Sequence, residues 1–184
     1  MTDEPDPLRL FAEWFPRDPR LLGVSTALAT ASADARPSVR MVLMKDADED
    51  GLTFFTGYES RKGRELEANP HAALLFHGGG RQVRVEGTVE RVPAAESDAY
   101  WATRPIASRR SAAASHQSEP IASREELEAA VAAQPDEPPR PARWGGYRLV
   151  PSSWEFWEHR DDRLHERLLF VADGAGWRAV LLQP

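Results

Sequence analysis

The chain of 184 residues predicts a mainly β fold with flanking helices, in which antiparallel strands close into a small barrel. Two observations support this prediction. At least five short runs rich in β-forming residues follow one another with turn residues between them, and helical patterns are placed between these runs. The length suits one hydrophobic core, so we expect a single domain over residues 1–184, with a proline-rich crossing at 136–142.

The first element is a short amphipathic helix in "DPLRLFAEWF". Asp6 is placed to cap it and Pro7 suits its first position, while Leu8, Phe11 and Phe15 form an apolar stripe. "STALATA" and "PSVRMVLMK" then predict two strands joined as a hairpin by "SADAR", and "GLTFFTG" predicts a third.

The second group of elements begins with a helix from Ser60 to Asn69. "HAALLF" and "RQVRVEGTVERV" follow as strands, joined by "HGGG", whose three glycines we expect at positive φ. Alternation in the second of these strands places Gln82, Arg84 and Glu86 on one face and valines on the other.

The remaining elements are two helices and the closing strands. Pro93 begins one helix, and Ser123 with Glu126 forms a capping box for another. After "QPDEPPRPAR", the segments "WGGYRLVPSSWEFWE", "RLHERLLFVAD" and "WRAVLLQP" predict strands with turns at "HRDD" and "DGAG".

Composition excludes several classes of protein. A net charge of -6 argues against nucleic acid or an anionic membrane as the main partner. The absence of cysteine excludes disulfides, thiolate metal sites and thiol nucleophiles. No secretory signal and no apolar run long enough to span a membrane is visible, so we expect a cytoplasmic protein.

The start of the second predicted helix is a candidate phosphate site. Arg61 and Lys62 follow the capping residue Ser60, where the helix dipole disfavours cations unless an anion is bound. The alternative is a solvated charged turn in which Glu65 and Glu67 are the ion-pair partners.

A second phosphate site is suggested by Tyr100 and Arg104, four residues apart on one helix face, with Ser108 beyond the break at Pro105. Taken alone, this pattern is weak, and an ordinary helix surface is the favoured interpretation. Arg40 and Lys45 differ in parity and face opposite sides of a regular strand. They serve one site only if a bulge intervenes, the strand ends, or a second subunit contributes.

The segment "EFWEHRDDRLHER" concentrates charge near the C-terminus. The spacing of His159 and His165 argues against a metal site. If residues 163–167 are extended, Arg163, His165 and Arg167 share one face, which favours a ligand because such a face is costly to bury without polar partners. A histidine general base and a surface strand paired with Glu155, Asp161 and Glu166 are the alternatives.

Together, "RMVLMK", "SRKGRELEANP", "RQVRVEG", "YWATRPIAS", "HQS", "WGGYR" and "EFWEHRDDRLHER" resemble the pyridoxamine 5'-phosphate oxidases in order and approximate spacing, from about residue 6 to the end. The resemblance implies an FMN-binding split β-barrel and a homodimer with FMN at the subunit interface. It also implies that the charged cluster near the C-terminus belongs to the active site.

The resemblance assigns roles by matching position. The residues it implies for FMN are Arg40, Met41, Val42, Leu43, Met44, Lys45, Phe55, Thr56, Arg61, Lys62, Gln82, Gln117, Ser118, Trp157 and Arg167. Those it implies for the substrate phosphate are Lys45, Tyr100, Arg104 and Ser108. Arg163 and His165 are implied as the catalytic pair at the substrate ring, and no metal is implied. Asp162 departs from the family pattern, which has a basic residue there.

The implied reaction is FMN-dependent oxidation of pyridoxamine or pyridoxine 5'-phosphate to pyridoxal 5'-phosphate, with dioxygen reduced to hydrogen peroxide. Two alternatives stay open at this point. One is a flavin oxidase of the same fold acting on another substrate, such as a phenazine precursor. The other is a non-catalytic module that binds FMN or pyridoxal phosphate.

Overall fold

A computed structural model describes residues 6–16, 23–174 and 176–184 of the chain. These residues form a mainly β fold with flanking helices, as predicted. The helices are α1 (Pro7–Trp14), α2 (Arg61–Ala68), α3 (Ala94–Thr103), α4 (Ile106–Ala114) and α5 (Arg124–Ala132). The strands are β1 (Val24–Ala31), β2 (Pro37–Asp48), β3 (Gly51–Gly57), β4 (His71–Gly78), β5 (Arg81–Arg91), β6 (Trp144–Glu158), β7 (Glu166–Asp173) and β8 (Gly176–Leu181).

The sheet closes because β6 is long enough to pair with three neighbours. The strand order is β3-β2-β1-β4-β5-β6-β7-β8, with an additional pairing between β3 and β6, and every pairing is antiparallel. Residues 144–149 of β6 pair with β3, whereas residues 153–158 pair with β7. Six strands therefore form a closed barrel, and β7 and β8 extend the sheet beyond it.

The barrel interior is filled by the alternate apolar residues of its strands. Leu28, Phe54, Leu74, Val85 and Leu149 are fully buried there. The helix α1 covers this core from one side: Asp6 caps it at Leu8 N (2.9 Å), and the Phe11 ring packs edge-on against Phe76, with centroids 4.8 Å apart. The predicted cap and apolar stripe of the first helix are confirmed.

Three local predictions differ from the structure. Residues 106–114 form α4, which the sequence did not predict, because the helix has little amphipathic pattern and its cap position is Pro105. Only Gly79 and Gly80 of the "HGGG" turn have positive φ (60° and 77°), since Gly78 still belongs to β4. The prediction that residues 163–165 are extended is wrong: β7 begins at Glu166, after a turn.

The outer face of β2, β1 and β4 is apolar and open. Met41, Ala27 and Leu75 stand in one cross-strand row, and Val39 and Leu43 flank Met41 on β2. Val39, Met41, Leu43 and Leu75 are exposed to 70%, 63%, 43% and 39%. Contiguous apolar surface of this kind is typical of a protein interface.

Among the helices of the described residues, none has the length and apolar character to cross a bilayer.

Candidate active site

A cavity of about 1400 Å³ lies between β2, β3, the start of α2, α3 and α4. It brings together the side chains of two clusters that the sequence suggested separately. The predicted site residues that line it are Met41, Val42, Leu43, Lys45, Phe55, Thr56, Lys62, Tyr100, Arg104, Ser108 and Gln117. Met44 points instead into the barrel core and is 2% exposed.

A β-bulge places Lys45 in this cavity. Met44 pairs with Phe54 and Asp46 with Thr53, so Lys45 is the extra residue of β2. Its Nζ lies 5.6 Å from the centroid of the Tyr100 ring. Burial, reinforced by the charge of Arg104, lowers the pKa of Lys45. The bulge is one of the three conditions under which Arg40 and Lys45 can serve one site.

Stacked aromatic rings hold Arg104 at the cavity wall. Phe55, Tyr100 and Trp144 are in mutual contact, with the Phe55 centroid 4.0 Å from Tyr100 and 5.7 Å from Trp144. The Arg104 guanidinium lies 4.6 Å from the Trp144 centroid. Burial lowers the pKa of Arg104, although Tyr100 opposes the shift. Its Nη1 is buried and has no hydrogen-bond partner among the described residues. An unpaired buried guanidinium nitrogen beside a cavity favours an anionic ligand.

The start of α2 supplies a second cationic region. The Ser60 hydroxyl accepts from Gly63 N, and Lys62 Nζ donates to Thr56 Oγ1 at 3.2 Å. Burial, together with Arg40 and against the effect of Glu65, lowers the pKa of Lys62 to about 8. A buried ammonium of lowered pKa is stabilised by an anion, so this region also fits a phosphate.

The loop after α4 closes the same region. Gln117 Oε1 accepts from Thr56 Oγ1 at 3.0 Å and from Gly57 N at 3.3 Å. Ser118, the next residue, has a φ of 75°, a left-handed conformation that is uncommon for serine. The structure thus brings Gln117 of the predicted "HQS" motif to β3.

A buried carboxylate that the sequence reading treated only as a possible ion-pair partner organises the arginines near α2. Glu65 Oε1 accepts from Arg61 Nε at 2.9 Å, and its Oε2 accepts from Arg40 Nη2 at 3.1 Å. Thr30 and Ser38 also donate to Oε2, at 2.5 Å and 2.6 Å. Burial alone raises the pKa of Glu65, but these four hydrogen bonds outweigh it and lower the pKa to about 2.

A second group of predicted site residues lies on the far part of the sheet. Gln82, Trp157 and Arg167 are cross-strand neighbours on β5, β6 and β7. Glu155, which is buried, accepts from Arg167 Nε at 2.8 Å and from Arg84 Nη2 at 2.6 Å. This ion pair fixes the Arg167 side chain beside Trp157.

The turn between β6 and β7 presents Arg163 and His165. Arg163 has a φ of 66°, and Asp162 Oδ1 accepts from Leu164 N at 3.0 Å. The hydrogen bond from Arg160, followed by that from Leu164 N, lowers the pKa of Asp162 to about 2. Asp162 therefore stabilises this turn by accepting hydrogen bonds from Arg160 and from Leu164 N.

The His165 ring is oriented by the same turn. Its Nδ1 accepts from Arg160 N at 3.1 Å, which places the proton of the neutral ring on Nε2. The ring centroid lies 4.7 Å from that of Trp157. His165 thus belongs to the group of Gln82, Trp157 and Arg167, and Arg163 lies on the same turn, although not on an extended strand.

The two groups of predicted site residues are separate within one chain. β1 and β4 lie between β2 and β5 in the sheet. At the usual strand spacing, β2 and β5 are therefore separated by about 14 Å along the sheet. The described residues that line the cavity do not include Gln82, Trp157, Arg163, His165 or Arg167. Arg40, Arg61 and Ser118 adjoin the cavity through their neighbours Met41, Lys62 and Gln117.

Comparisons with known proteins agree over nearly the whole chain. A family model described as pyridoxamine 5'-phosphate oxidase matches residues 24–134. A second model, described as the C-terminal dimerisation region of pyridoxine 5'-phosphate oxidase, matches residues 144–184.

Individual relatives give the same result. The chain is 52% identical to the pyridoxine/pyridoxamine 5'-phosphate oxidase of Rubrobacter xylanophilus, covering 98% of this chain and 88% of that protein. It is 51% identical to the enzyme of the same name from a Janthinobacterium species, covering 100% of this chain and 92% of that protein.

Two solved structures are similar as well. PhzG from Burkholderia lata, in complex with tetrahydrophenazine-1-carboxylic acid, is 35% identical with a TM-score of 0.88, covering 99% of this chain and 95% of that chain. A pyridoxamine 5'-phosphate oxidase-related, FMN binding protein from Nostoc punctiforme, 20% identical with a TM-score of 0.72, shares the fold and covers 87% of each chain.

Proposed function

Because the chain belongs to the pyridoxamine 5'-phosphate oxidase family, we propose that it oxidises pyridoxamine and pyridoxine 5'-phosphate to pyridoxal 5'-phosphate. It is an oxidase of this family, and its cofactor is FMN. The substrate proposal rests mainly on one observation, the buried and unpaired Nη1 of Arg104 in a cavity shared with Lys45, Tyr100 and Ser108. In the proposed reaction, pyridoxamine 5'-phosphate, dioxygen and water give pyridoxal 5'-phosphate, ammonia and hydrogen peroxide.

The residues around the start of α2 fit the phosphate of FMN. Lys62 is a buried cation that contacts no carboxylate of the described residues. Arg61 is held only through Nε, so its terminal nitrogens make no hydrogen bond to that part of the chain. FMN, when bound, supplies the redox chemistry by accepting a hydride equivalent from the substrate and passing the electrons to dioxygen. We assign to FMN the residues that the resemblance implies, apart from the side chain of Met44, which points into the barrel core. Arg40 contributes its charge, because its terminal nitrogens already donate within the protein.

On the substrate side, the protein supplies binding, orientation and proton transfer. Arg104, Lys45, Tyr100 and Ser108 bind the substrate phosphate, which fixes one end of the molecule. Arg163 and His165 act at the ring, where the His165 Nε2 proton can be donated to a substrate oxygen or nitrogen.

We further propose that the active site is shared between the two subunits of a homodimer. The cavity group and the group of Arg163 and His165 are separate in one chain, and the open apolar face formed by Val39, Met41, Leu43 and Leu75 extends from β2, beside the cavity, to β4, next to β5. A second copy on this face would cover the apolar surface and bring its own Arg163 and His165 to the cavity. The match of residues 144–184 to a dimerisation region supports this arrangement.

Leu75→Asp should dissociate the dimer. Leu75 is the part of the apolar face that lies on β4, and a two-fold interface carries the substitution twice, so we expect the dimer dissociation constant to rise by at least about 10²-fold. Light scattering after gel filtration should give twice the 20.5 kDa chain mass for the unmodified protein and the single mass for the variant. Ile121→Asp, at a comparably exposed apolar residue before α5, is the control and should stay dimeric. A Leu75→Asp protein that remains dimeric would refute the assignment of this face.

The affinity for FMN should fall as the pH rises through about 8. The free Lys62 ammonium has a pKa of about 8, and a bound phosphate raises that pKa, so binding takes up a proton. Affinity is then full below this pH and declines by up to about tenfold per pH unit above it. Fluorescence titration with FMN between about pH 7 and 9.5 measures this, and Lys62→Met should give a flat profile. A flat profile in the unmodified protein would contradict the role of Lys62.

A second candidate substrate is a phenazine precursor, because PhzG from Burkholderia lata was solved with tetrahydrophenazine-1-carboxylic acid. Arg104 and Lys45 could pair with a carboxylate as they do with a phosphate. The phosphate reading is preferred because Tyr100 and Ser108 add two hydroxyl groups to the same cavity.

The test is a comparison of substrates. The purified protein is loaded with FMN, and peroxide and aldehyde formation are followed with pyridoxamine 5'-phosphate, pyridoxine 5'-phosphate, unphosphorylated pyridoxine and a reduced phenazine carboxylate. We expect turnover of the two phosphates only. Turnover of the phenazine compound alone would establish the second candidate, and turnover of unphosphorylated pyridoxine at the same rate would refute the phosphate site.

A further inference from the structure

Glu65 is the most heavily hydrogen-bonded carboxylate near the cationic region of α2. Its side chain is 7% exposed and joins three elements: Thr30 of β1, Ser38 and Arg40 of β2, and Arg61 of its own helix. A buried glutamate with four donors is costly to build unless its charge is needed there. The barrel core does not need it, because the surrounding core is apolar.

The hydrogen bonds to Glu65 determine how each arginine can be used. The terminal nitrogens of Arg40 donate to Leu28 O, Thr30 and Ser38 as well as to Glu65. Arg40 is therefore held inside the protein. Arg61, in contrast, is 63% exposed at its side chain and is held by Glu65 through Nε alone, which fixes its orientation and leaves both terminal nitrogens for a ligand.

Glu65 also determines the charge state of this region. Three cations, Arg40, Arg61 and Lys62, lie around it. Burial and Arg40 both lower the pKa of Lys62, and Glu65 is the group that opposes them. Without the Glu65 carboxylate, Lys62 would lose its proton at a lower pH. Removing the negative charge of Glu65 would therefore raise the net positive charge of this region by less than one unit. With Glu65 in place the region carries a net charge of about +2, which matches a phosphate dianion.

We propose that Glu65 is a positioning residue for the flavin phosphate, which orients Arg61 and keeps Lys62 charged beside Arg40. This inference rests on the proposed FMN site at α2. It assigns to Glu65 a role in cofactor affinity that does not require contact with the cofactor.

The test compares FMN with riboflavin, which lacks the phosphate. Apoprotein is titrated with each flavin for the unmodified protein, Glu65→Gln, Arg61→Ala and the double variant. We expect Glu65→Gln to weaken FMN about tenfold, to leave riboflavin unchanged, and to have a smaller effect in the Arg61→Ala background. FMN affinity should also begin to decline at a lower pH in Glu65→Gln than in the unmodified protein. Glu128→Gln, an exposed glutamate paired with Arg124 on α5, is the charge-matched control and should bind both flavins normally.

The outcomes separate the inference from the proposal on which it rests. An unmodified protein that binds FMN no better than riboflavin would refute the phosphate site itself. Glu65→Gln with unchanged or tighter FMN binding, or with equal weakening of both flavins, would refute only the role of Glu65. If Glu65→Gln does not fold, Glu65→Asp, which retains the charge but is shorter, replaces it. It should weaken FMN selectively and leave the pH of the decline unchanged, and equal weakening of both flavins would overturn the inference.

Discussion

Arg104→Ala should lower kcat/KM for pyridoxine 5'-phosphate by about 10²–10³-fold, mainly through KM. Arg104 packs against the Trp101 and Trp144 rings, so its guanidinium is oriented before a ligand binds. Little side-chain entropy is then lost on binding, and each hydrogen bond to a phosphate contributes more. Steady-state assays with the FMN-loaded variant measure the effect.

The control for Arg104→Ala is the unphosphorylated substrate. If Arg104 binds the phosphate, the variant should lose the preference for pyridoxine 5'-phosphate over pyridoxine, and its FMN content should be normal. Arg124→Ala, at an exposed arginine of α5, should retain the preference. An Arg104→Ala enzyme that still discriminates between the two compounds would show that the phosphate is bound elsewhere.

Arg163→Ala should lower kcat by about 10²–10³-fold while FMN binding is retained, because the guanidinium acts at the ring rather than at the flavin phosphate. This position needs a particular control, since Arg163 has a left-handed backbone with a φ of 66°. Arg163→Gly removes the same guanidinium and suits this conformation better than alanine does. Equal losses in both variants would locate the effect in the side chain.

The opposite results would contradict this role. If Arg163→Gly is nearly as active as the unmodified enzyme and Arg163→Ala is not, the conformation of the turn matters and the guanidinium does not. If either variant loses FMN, Arg163 belongs to the cofactor site. Single-turnover reduction of the bound flavin, followed by absorbance, distinguishes these outcomes from slow product release.

Much of the fold could be predicted because its elements carry local signals. Asp6 and Pro7 predict the start of α1, and the alternating valines of β5 predict which face is buried. α4 could not be predicted, because a helix of nine residues without an apolar stripe is stabilised by tertiary contacts such as those with α5. The closure of β3 on β6 is a pairing between distant segments and leaves no local signal.

The candidate site was predictable to a similar extent. The residues proposed to bind ligands, such as Arg104 and Lys62, stand in motifs, and spacing alone suggested two phosphate sites. Glu65 and Glu155 were expected only as ion-pair partners in the alternative interpretations, and they do pair with Arg61 and Arg167. Their burial and their hydrogen bonds to distant strands could not be predicted, because no local pattern indicates them. The turn at "HRDD" was predicted, but its continuation through Arg163 to His165 was expected to be extended because alternation of charged residues resembles a β pattern. In the structure, Asp162 accepts a backbone hydrogen bond from Leu164 N, which continues the turn.

The central claim is that Arg104 and Arg163 act in one active site but come from different subunits. The most direct measurement co-expresses Arg104→Ala and Arg163→Ala chains with two different affinity tags and assays the doubly purified heterodimer, with each homodimer as control. In a shared site, one of the two sites of the heterodimer carries both arginines intact, so about half of the unmodified activity should return. If both arginines of a site came from one chain, each site would keep one defect, and a heterodimer as inactive as its parents would contradict the account.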